Sequence, residues 1–448
     1  MLKNIVLFFV LAPYVFVFSQ TGKNLPVAPK ANGAGGAQSQ ASGEMLGREF
    51  LLPPDALHLP GEESMDKQVE VGREYEAVFS QPSWVAPSPS LNSLALAQAS
   101  NNNVAITAHN GRLFMAWRTG PIHFASKKTV MQVVSSADGG RNWELEHSIA
   151  IGRDIREPFF LTVGGKLIFY YMEAGQSASA FEPRGTKAIV YAGPGQWSQP
   201  VSIGAPGEII WEMKVRNGKA WATSYKGNHY AWAEQSRIEL YFKESTDGLN
   251  WENVDSSQPF VYQGGVSEAA FEFARDGSLW AVTRNEDGDA TGWGSHVATA
   301  QPGAPGRWDF PQTSDPDRYD SPRMFRHGDE IYMIARRDIG GPFDRGGRNL
   351  PFWLQRARNM LGYSWRAKRT ALYKIDRKTK SVALIADLPS AGDTAFPSIM
   401  RLGPHDFLIA NYTSPLDRPN SSWIRGQISS MGTSIYFIRL TFRPKVKS

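Results

Sequence analysis

The chain of 448 residues contains no cysteine. This absence excludes disulfide bonds, thiolate metal sites, a cysteine nucleophile and a lipid-modified N-terminal cysteine. The fold must therefore be held by its apolar core, and a hydrophobic content of 42% is enough to form one. Fourteen Trp, 24 Phe and 42 Gly favour many short strands joined by tight turns.

Long apolar runs are also scarce, and the one that stands out lies at the N terminus. Lys3 precedes the run "IVLFFVLAPYVFVF", and the residues up to Ser19 suit cleavage, so we predict a signal peptide over residues 1–19. Pro13 and the short run argue against a membrane span. We expect a secreted or periplasmic protein without a membrane span. Residues 20–44 are rich in Gly, Ala, Ser, Pro and Gln, which predicts a flexible linker.

Motifs for cofactors and metals are missing as well. The chain has neither a Gly-rich phosphate loop ahead of a helix nor an H-E-x-x-H spacing, so we expect that no cofactor is required. A structural Ca²⁺ or Zn²⁺ held by scattered loop residues stays open. The basic and aromatic stretch over residues 340–368 would also suit single-stranded nucleic acid. The predicted export argues against that partner.

Six segments share one plan, in which a strand, a glycine turn and a second strand follow one another. Successive turn glycines are 54, 53, 59, 51 and 75 residues apart. They are Gly111, Gly165, Gly218, Gly277, Gly328 and Gly403. A period near 50 residues with four strands per unit is typical of a β-propeller. We predict an all-β, six-bladed propeller over residues 101–448, with seven blades as the alternative.

Two segments depart from the regular repeat. Residues 45–100 are predicted to contribute a strand that helps to complete the sixth blade, or to form a seventh blade. The long last spacing indicates an insertion in the fifth blade, over about residues 340–368. This insertion is interpreted either as a loop over the mouth of the propeller or as a short amphipathic helix packed on the blade.

The stretch "SSADGGRNW", Ser135 to Trp143, has a shorter counterpart in "STDGLNW", Ser245 to Trp251. In such a turn the Asp accepts backbone N–H groups, the Gly adopts an unusual φ and the Trp packs into the blade. Ser136 to Trp143 resembles the Asp box of the sialidase superfamily, S-x-D-x-G-x-x-W. These boxes lie away from the active face in that superfamily, so the resemblance implies the fold and assigns these residues no catalytic role.

Alignment of the six units places Arg, Tyr and carboxylate residues at one face of the disc. The second strands end there with Arg118, Tyr171, Tyr225, Arg284, Arg336 and Tyr412. The inner strands begin there with Asn102, Arg156, Glu157, Glu208, Glu268, Asp320 and Thr394. Arginine binds carboxylate or sulfate through two parallel hydrogen bonds. We therefore predict an anion-binding pocket at this face.

The segment "SEAAFEFARDGSLWAVTR" is similar to the sialidase stretch that carries a glutamate and an arginine of the active site. The resemblance implies these two roles for Glu268 and Arg284. It also implies that Arg336 is the family's third arginine and Tyr412 its nucleophile. In that scheme Glu268 accepts the proton of Tyr412, and a phenolate avoids charge repulsion against an anionic sugar.

Two positions depart from the sialidase pattern. The chain reads "NNNVAI" where the family has an Arg-Ile-Pro motif. The loop "RTGPIHFASKK" contains no carboxylate where the family has its acid/base aspartate. His123 is the one residue in that loop that titrates near neutral pH, so it is the predicted acid.

Three roles stay open at this stage. A glycoside hydrolase of the sialidase type would act on an acidic oligo- or polysaccharide through Glu268, Tyr412 and His123. A polysaccharide lyase, which the chain resembles through the His and Tyr residues of propeller-type ulvan lyases, needs a neutraliser, a base and an acid. The residues available for elimination are His123, Arg156, Tyr171, Tyr225, His229 and Tyr230. A glycan-binding propeller would use the same charges for affinity alone. We expect a monomer in each case.

Overall fold

A computed structural model describes residues 52, 57–92, 97–177, 180–231 and 234–445. The predicted signal peptide and linker, residues 1–44, lie outside the described residues. The first elements are helix α1 (Glu62–Asp66), strands β1 (Tyr75–Phe79) and β2 (Ser83–Ala86), and helix α2 (Pro89–Asn92). No helix in the described ranges is long and apolar enough to cross a bilayer.

The rest of the chain forms six antiparallel sheets in sequence order, each numbered from its innermost strand outward. Blade one contains β3 (Ser100–His109), β4 (Arg112–Gly120), β5 (Val130–Ser136) and β6 (Glu144–Ile149). Blade two contains β7 (Ile155–Val163), β8 (Lys166–Glu173) and β9 (Gly185–Gly193), with β10 (Gln196–Trp197) and β11 (Val201–Ile203) both paired to β9. Blade three contains β12 (Ile209–Arg216), β13 (Lys219–Gly227), β14 (Ile238–Ser245), β15 (Glu252–Asn253) and β16 (Tyr262–Gly264).

The remaining blades follow the same order. Blade four contains β17 (Ser267–Phe273), β18 (Leu279–Asp289), β19 (Gly292–Ala300) and β20 (Trp308–Asp309). Blade five contains β21 (Asp320–His327), β22 (Glu330–Asp338), helix α3 (Phe352–Ser364), β23 (Lys368–Asp376) and β24 (Ser381–Asp387). Blade six contains β25 (Thr394–Arg401), β26 (Asp406–Thr413), helix α4 (Trp423–Ile428) and β27 (Ser434–Pro444), and β1 and β2 both pair with β27. The predicted all-β, six-bladed propeller is confirmed.

Apolar side chains fill the spaces between neighbouring blades, because one sheet cannot cover its own faces. Phe114 of blade one and Phe160 of blade two belong to one such cluster, with ring centroids 6.2 Å apart.

The two Ser-x-Asp loops connect outer strands, and both contain the same kind of hydrogen bond. Asp138 accepts the backbone N–H of Asn142 at 2.9 Å, and Asp247 accepts that of Asn250 at 2.8 Å. These loops therefore stabilise the blades from outside the channel.

Each inner strand carries a β-bulge near its first residues, where the register with the second strand shifts. The extra residues are Asn103, Glu157 with Pro158, Trp211, Glu268, Ser321 with Pro322, and Phe396 with Pro397. Bulges leave a residue unpaired and redirect its side chain, and they are frequent next to active sites. Here six bulges occur at the same end of the central channel, which we call the mouth.

The N-terminal segment closes the opposite end of the channel. Glu62 accepts two hydrogen bonds from Arg216, at 3.0 and 3.1 Å. Asp66, 2% exposed, lies 2.7 Å from Arg401 and 2.9 Å from Arg326. Helix α1 is therefore held against the ends of the inner strands by ion pairs, and the pair of Asp66 with Arg401 is buried.

Candidate active site

Two glutamates on bulges of different blades form the centre of the mouth. Glu157 lies on blade two and Glu268 on blade four. The negative charge of Glu268 raises the pKa of Glu157, so the two side chains share one electrostatic environment. Glu157 is half-buried, whereas Glu268 is 4% exposed. Two carboxyl groups that interact in this way do not lose their protons independently.

The two glutamates differ in what neutralises them. Glu268 lies 2.8 Å from a guanidinium nitrogen of Arg284 and accepts the backbone N–H of Ser321 at 2.8 Å. Within the described ranges, the hydrogen bond that Glu157 accepts is a weak one from the Asn103 amide, at 3.4 Å. Burial and then the charge of Glu268 raise the pKa of Glu157 to about 8, against the opposing effect of Arg156. Burial raises the pKa of Glu268 as well, but Arg284 and the Ser321 N–H oppose that rise, so the surroundings favour the proton on Glu157 and the charge on Glu268.

Arg284 belongs to a larger buried cluster of charges around Asp320. Asp320 is fully buried and lies 2.6 Å from Arg318, 3.1 Å from Arg336 and 3.4 Å from Arg284. Tyr363 of α3 also donates its hydroxyl to Asp320. The guanidinium groups that the sequence predicts for substrate, Arg284 and Arg336, are therefore engaged by carboxylates of the protein itself.

Tyr412 is fully buried and donates its hydroxyl to Asp393 at 3.2 Å. The other oxygen of Asp393 lies 2.7 Å from Nδ1 of His123. Burial and the charge of Asp393 hold the pKa of Tyr412 well above its usual range. The sequence-based pairing of Tyr412 with Glu268 is not what the structure shows: Tyr412 is paired with Asp393, and Glu268 with Arg284.

A second buried carboxylate, Asp154, joins two of the predicted arginines. Asp154 lies 2.7 Å from Arg118 and 2.5 Å from Arg156. Arg118 is fully buried and also donates to backbone carbonyls of the "RTGPIHFASKK" loop, so it does not face the mouth. Arg156 is 18% exposed and donates one hydrogen bond to the carbonyl of His123 at 2.7 Å. Among the described residues its Nη1 has no recorded acceptor, so this group is free to face a ligand.

His229 and Tyr230 form one wall of the mouth, with their rings stacked 3.7 Å apart. His229 lies 3.0 Å from Glu286 and 3.0 Å from Asp287. Burial lowers the pKa of His229, but the two carboxylates outweigh it and raise the pKa to about 9. Tyr230 donates its hydroxyl to Glu286 at 3.0 Å. Phe181, 40% exposed, packs edge-on against both rings and extends this wall to the surface.

The structure does not bring all predicted residues to the mouth. Tyr171, 2% exposed, packs in the apolar cluster between blades one and two. Glu208 is held by Lys243 at 2.5 Å, within blade three. Tyr225, 4% exposed, lies near Glu268. Burial and the charge of Glu268 hold the pKa of its hydroxyl well above the usual range.

In the described ranges, no three His, Asp or Glu side chains are placed to hold a metal.

The insertion in blade five lies on the mouth side, between β22 and β23. It contains α3, and Arg356 of this helix donates hydrogen bonds to Ser236 at 2.9 Å and to the carbonyl of Asp287 at 3.1 Å. Trp293 and Phe352 stack 5.0 Å apart. The helix therefore supports the rim of the mouth from outside rather than lying free above it.

Asp154, Glu286, Asp287 and Asp393 were not singled out as site residues from the sequence. Asp154 and Asp393 lie just before an inner strand, and Glu286 and Asp287 lie near the end of β18, beyond the aligned Arg284. A usable signal was present only for Asp393, because it directly precedes the aligned Thr394. Glu157 did stand in the aligned set, but nothing in the sequence distinguished it from Glu208.

Comparison with solved structures supports the fold. A protein of unknown function from Dyadobacter fermentans matches 82% of this chain over 99% of its own length, with 14% identity and a TM-score of 0.54. A Trypanosoma rangeli sialidase matches 83% of this chain with 14% identity and a TM-score of 0.48, and the aligned region spans only 60% of that sialidase. A family 117 glycoside hydrolase from Zobellia galactanivorans matches 62% of this chain over 87% of its own, with 12% identity and a TM-score of 0.38.

No protein-family model matches the sequence, and no curated protein matches it either. At such identities the match to the Dyadobacter fermentans protein speaks for the propeller fold alone. The chemistry has to be argued from the residues at the mouth.

Proposed function

We propose that the protein is a glycoside hydrolase that cleaves an acidic glycan at the mouth of the propeller. The feature that carries the proposal is the pair Glu157 and Glu268, in which burial and the charge of Glu268 favour the protonated form of Glu157, and Arg284 at 2.8 Å favours the charged form of Glu268. Most glycosidases use two carboxyl groups in these two states. The different surroundings of the two carboxyl groups assign their roles, because Glu268 has a guanidinium at 2.8 Å and Glu157 has a weak hydrogen bond from an amide.

Glu157 is the general acid in this proposal. Its carboxyl proton passes to the glycosidic oxygen while the bond from that oxygen to the anomeric carbon breaks. Its pKa of about 8 keeps it protonated at neutral pH, and its half-exposed side chain is open to substrate. His123 is a weaker candidate for this step because it is 6% exposed and bonded to Asp393.

Glu268 is the charged partner. It either takes a proton from the attacking water, which inverts the anomeric centre, or attacks that carbon itself, which retains the configuration. Arg284 and the N–H of Ser321 hold its carboxylate in place. Tyr412 is fully buried behind Asp393, so the proposal gives the tyrosine a positioning role rather than that of the nucleophile.

The preference for an acidic glycan rests on Arg156. It follows Asp154 by two residues, directly precedes Glu157, and is the predicted arginine that combines partial exposure with a free donor. A planar guanidinium edge suits a carboxylate or sulfate substituent. Phe181 and Tyr230 would supply the apolar face against which a sugar ring packs.

The test uses a panel of oligosaccharides that carry uronate, sialate or sulfate groups. The expected result is release of new reducing ends without the ultraviolet absorbance of an unsaturated uronate. That absorbance would instead identify a lyase. If no substrate of the panel is cleaved, the result would favour a binding protein. On the best substrate, Tyr412→Phe should lose less than about tenfold in kcat, whereas loss of about a thousandfold would restore the tyrosine as the nucleophile.

A further inference from the structure

The central channel is divided into two parts by aromatic side chains. Trp211 of blade three and Phe396 of blade six meet across the axis, with ring centroids 5.3 Å apart. Below this contact lies a cavity of about 490 Å³, enclosed by the inner strands and bounded at the far end by Leu59 to Met65. We call it the axial chamber. It does not include Glu157 or Glu268 among its lining residues.

Most charges that line the axial chamber are paired. Lys214 lies 3.0 Å from Glu212, and Arg216 lies 2.6 Å from Glu272 and 3.0 Å from Glu62. Arg401 and Glu63 also line the chamber; Arg401 is paired with Asp66, and Glu63 accepts the backbone N–H of Asn217 at 3.0 Å. Each of these groups therefore has a partner within the protein itself.

Arg323 differs from the other charged residues that line the axial chamber. Its side chain lines the chamber and is 8% exposed, and among the described residues no carboxylate forms an ion pair with it. Glu212, Glu157 and Glu268 act on it only at longer range, and burial lowers its pKa in spite of them. A buried cation without a counter-charge destabilises the folded state, so binding of an anion beside it is favourable.

The aromatic rings beside Arg323 contact the faces of its guanidinium and leave donors at its edge available to a ligand. Its guanidinium carbon lies 4.8 Å from the ring centroid of Trp211 and 5.2 Å from that of Phe159. Nη1 donates to the carbonyl of Trp211, and its other N–H groups have no recorded acceptor in the described part of the chain. Aromatic rings interact with the faces of a guanidinium. The donors at its edge, which match the two oxygens of an oxyanion, remain available.

We propose that Arg323 anchors a second binding site, in the axial chamber, for a small oxyanion. The ligand class is a carboxylate, sulfate or phosphate, which the guanidinium edge would hold through two hydrogen bonds. The volume admits such an ion together with water or a small organic group. This site is separate from the mouth and does not depend on the proposed hydrolysis.

The experiment begins with the anion itself. The protein is crystallised in the presence of selenate, and anomalous scattering locates selenium. The expected result is a peak in the axial chamber within hydrogen-bonding reach of Arg323. Because the anion is present before crystals form, entry through the folded protein is not required. A chamber without a peak, in crystals that hold selenate elsewhere, would overturn the proposal.

A solution measurement separates the anion classes. Thermal unfolding is followed with sulfate, phosphate or acetate, each against chloride at equal ionic strength. We expect a rise in Tm of at least about 2 °C with the preferred anion. Arg323→Gln should abolish this rise, and Arg377→Gln, at a half-exposed arginine, should keep it. An equal rise in Arg323→Gln would overturn the proposal. If that variant does not fold, Arg323→Lys serves instead, since it keeps the charge and loses the paired donors; a rise equal to wild type would then count against the proposal.

Discussion

Glu62 and Glu157 are the same kind of residue at opposite ends of one channel, and their acidities differ by several orders of magnitude. Burial raises the pKa of both. At Glu62, Arg216 and further cations outweigh burial and lower the pKa to about 2. At Glu157 a second glutamate adds to burial, and the pKa rises to about 8.

This difference separates structural charges from candidate catalytic ones. Both ends of the channel contain buried arginines and carboxylates. At the far end Glu62 and Asp66 of α1 each lie within ion-pair distance of a guanidinium, and these pairs hold the seal in place. At the mouth Glu157 lies in a bulge of β7 and forms no ion pair with a cation of the described residues. A cluster of charges is therefore weak evidence for a site, whereas a carboxyl left without compensation is stronger evidence.

The largest expected effect concerns the two glutamates themselves. Glu157→Gln should lower kcat by about a hundredfold to ten-thousandfold, because a general acid contributes that much. Glu62→Gln, the matched change at the far end, should leave kcat within about twofold of wild type. Both are measured on the best substrate of the acidic panel. Equal losses of kcat in the two variants would show that the difference in pKa between Glu157 and Glu62 does not identify a catalytic residue.

The next largest effect is on stability at the far end. Asp66→Asn should lower the free energy of unfolding by about 3–5 kcal/mol, because it leaves the buried Arg401 without its counter-charge. Asp329→Asn, at a partly exposed residue whose nearest cation is Arg275 at 3.5 Å, should cost less than about 1 kcal/mol. Urea denaturation of the wild type and the two variants measures both changes in the free energy of unfolding. A small loss in Asp66→Asn would mean that α1 does not seal the channel.

The two glutamates should also give opposite dependences of stability on pH. Glu157 binds its proton more tightly when folded, so its contribution is lost as pH rises from about 4.5 through about 8. Glu62 has a lowered pKa, so its contribution is present above about pH 4.5 and is lost as pH falls through about 2. The difference in unfolding free energy between wild type and Glu157→Gln, and between wild type and Glu62→Gln, is measured across this range. If these two differences changed with pH in the same direction, the raised pKa of Glu157 and the lowered pKa of Glu62 would be contradicted.

The smallest effect concerns exposed apolar residues at the two ends. Phe181→Ala should raise KM about threefold to tenfold with little change in kcat, because an aromatic contact contributes about 0.5–1.5 kcal/mol. Val71→Ala, at a valine that is 75% exposed beyond the far end, should change neither constant. Steady-state kinetics on the same substrate distinguish the two. A fall in kcat alone for Phe181→Ala would argue against a role in binding the sugar.

Much of the fold was predictable because the repeat is local. The glycine at each turn and the apolar strands around it follow from short-range conformational preferences, so the six units could be counted from the sequence. The ends of the second strands were also found, since Arg284, Arg336 and Tyr412 all occur at the mouth side of their strands. What those residues contact was not predictable. Tyr412 pairs with Asp393 rather than Glu268 because the partner comes from a loop whose path no repeat constrains.

The sequence by itself determined the number of blades, the direction of each strand and the set of polar residues that could gather at one end. Those features depend on periodicity and on residues near one another in the chain. Only the tertiary structure decided which charges are neutralised. Ion pairing and burial depend on distances between blades. In the described part of the chain, those distances leave Glu157 without an ion pair, whereas Asp320 is surrounded by three arginines.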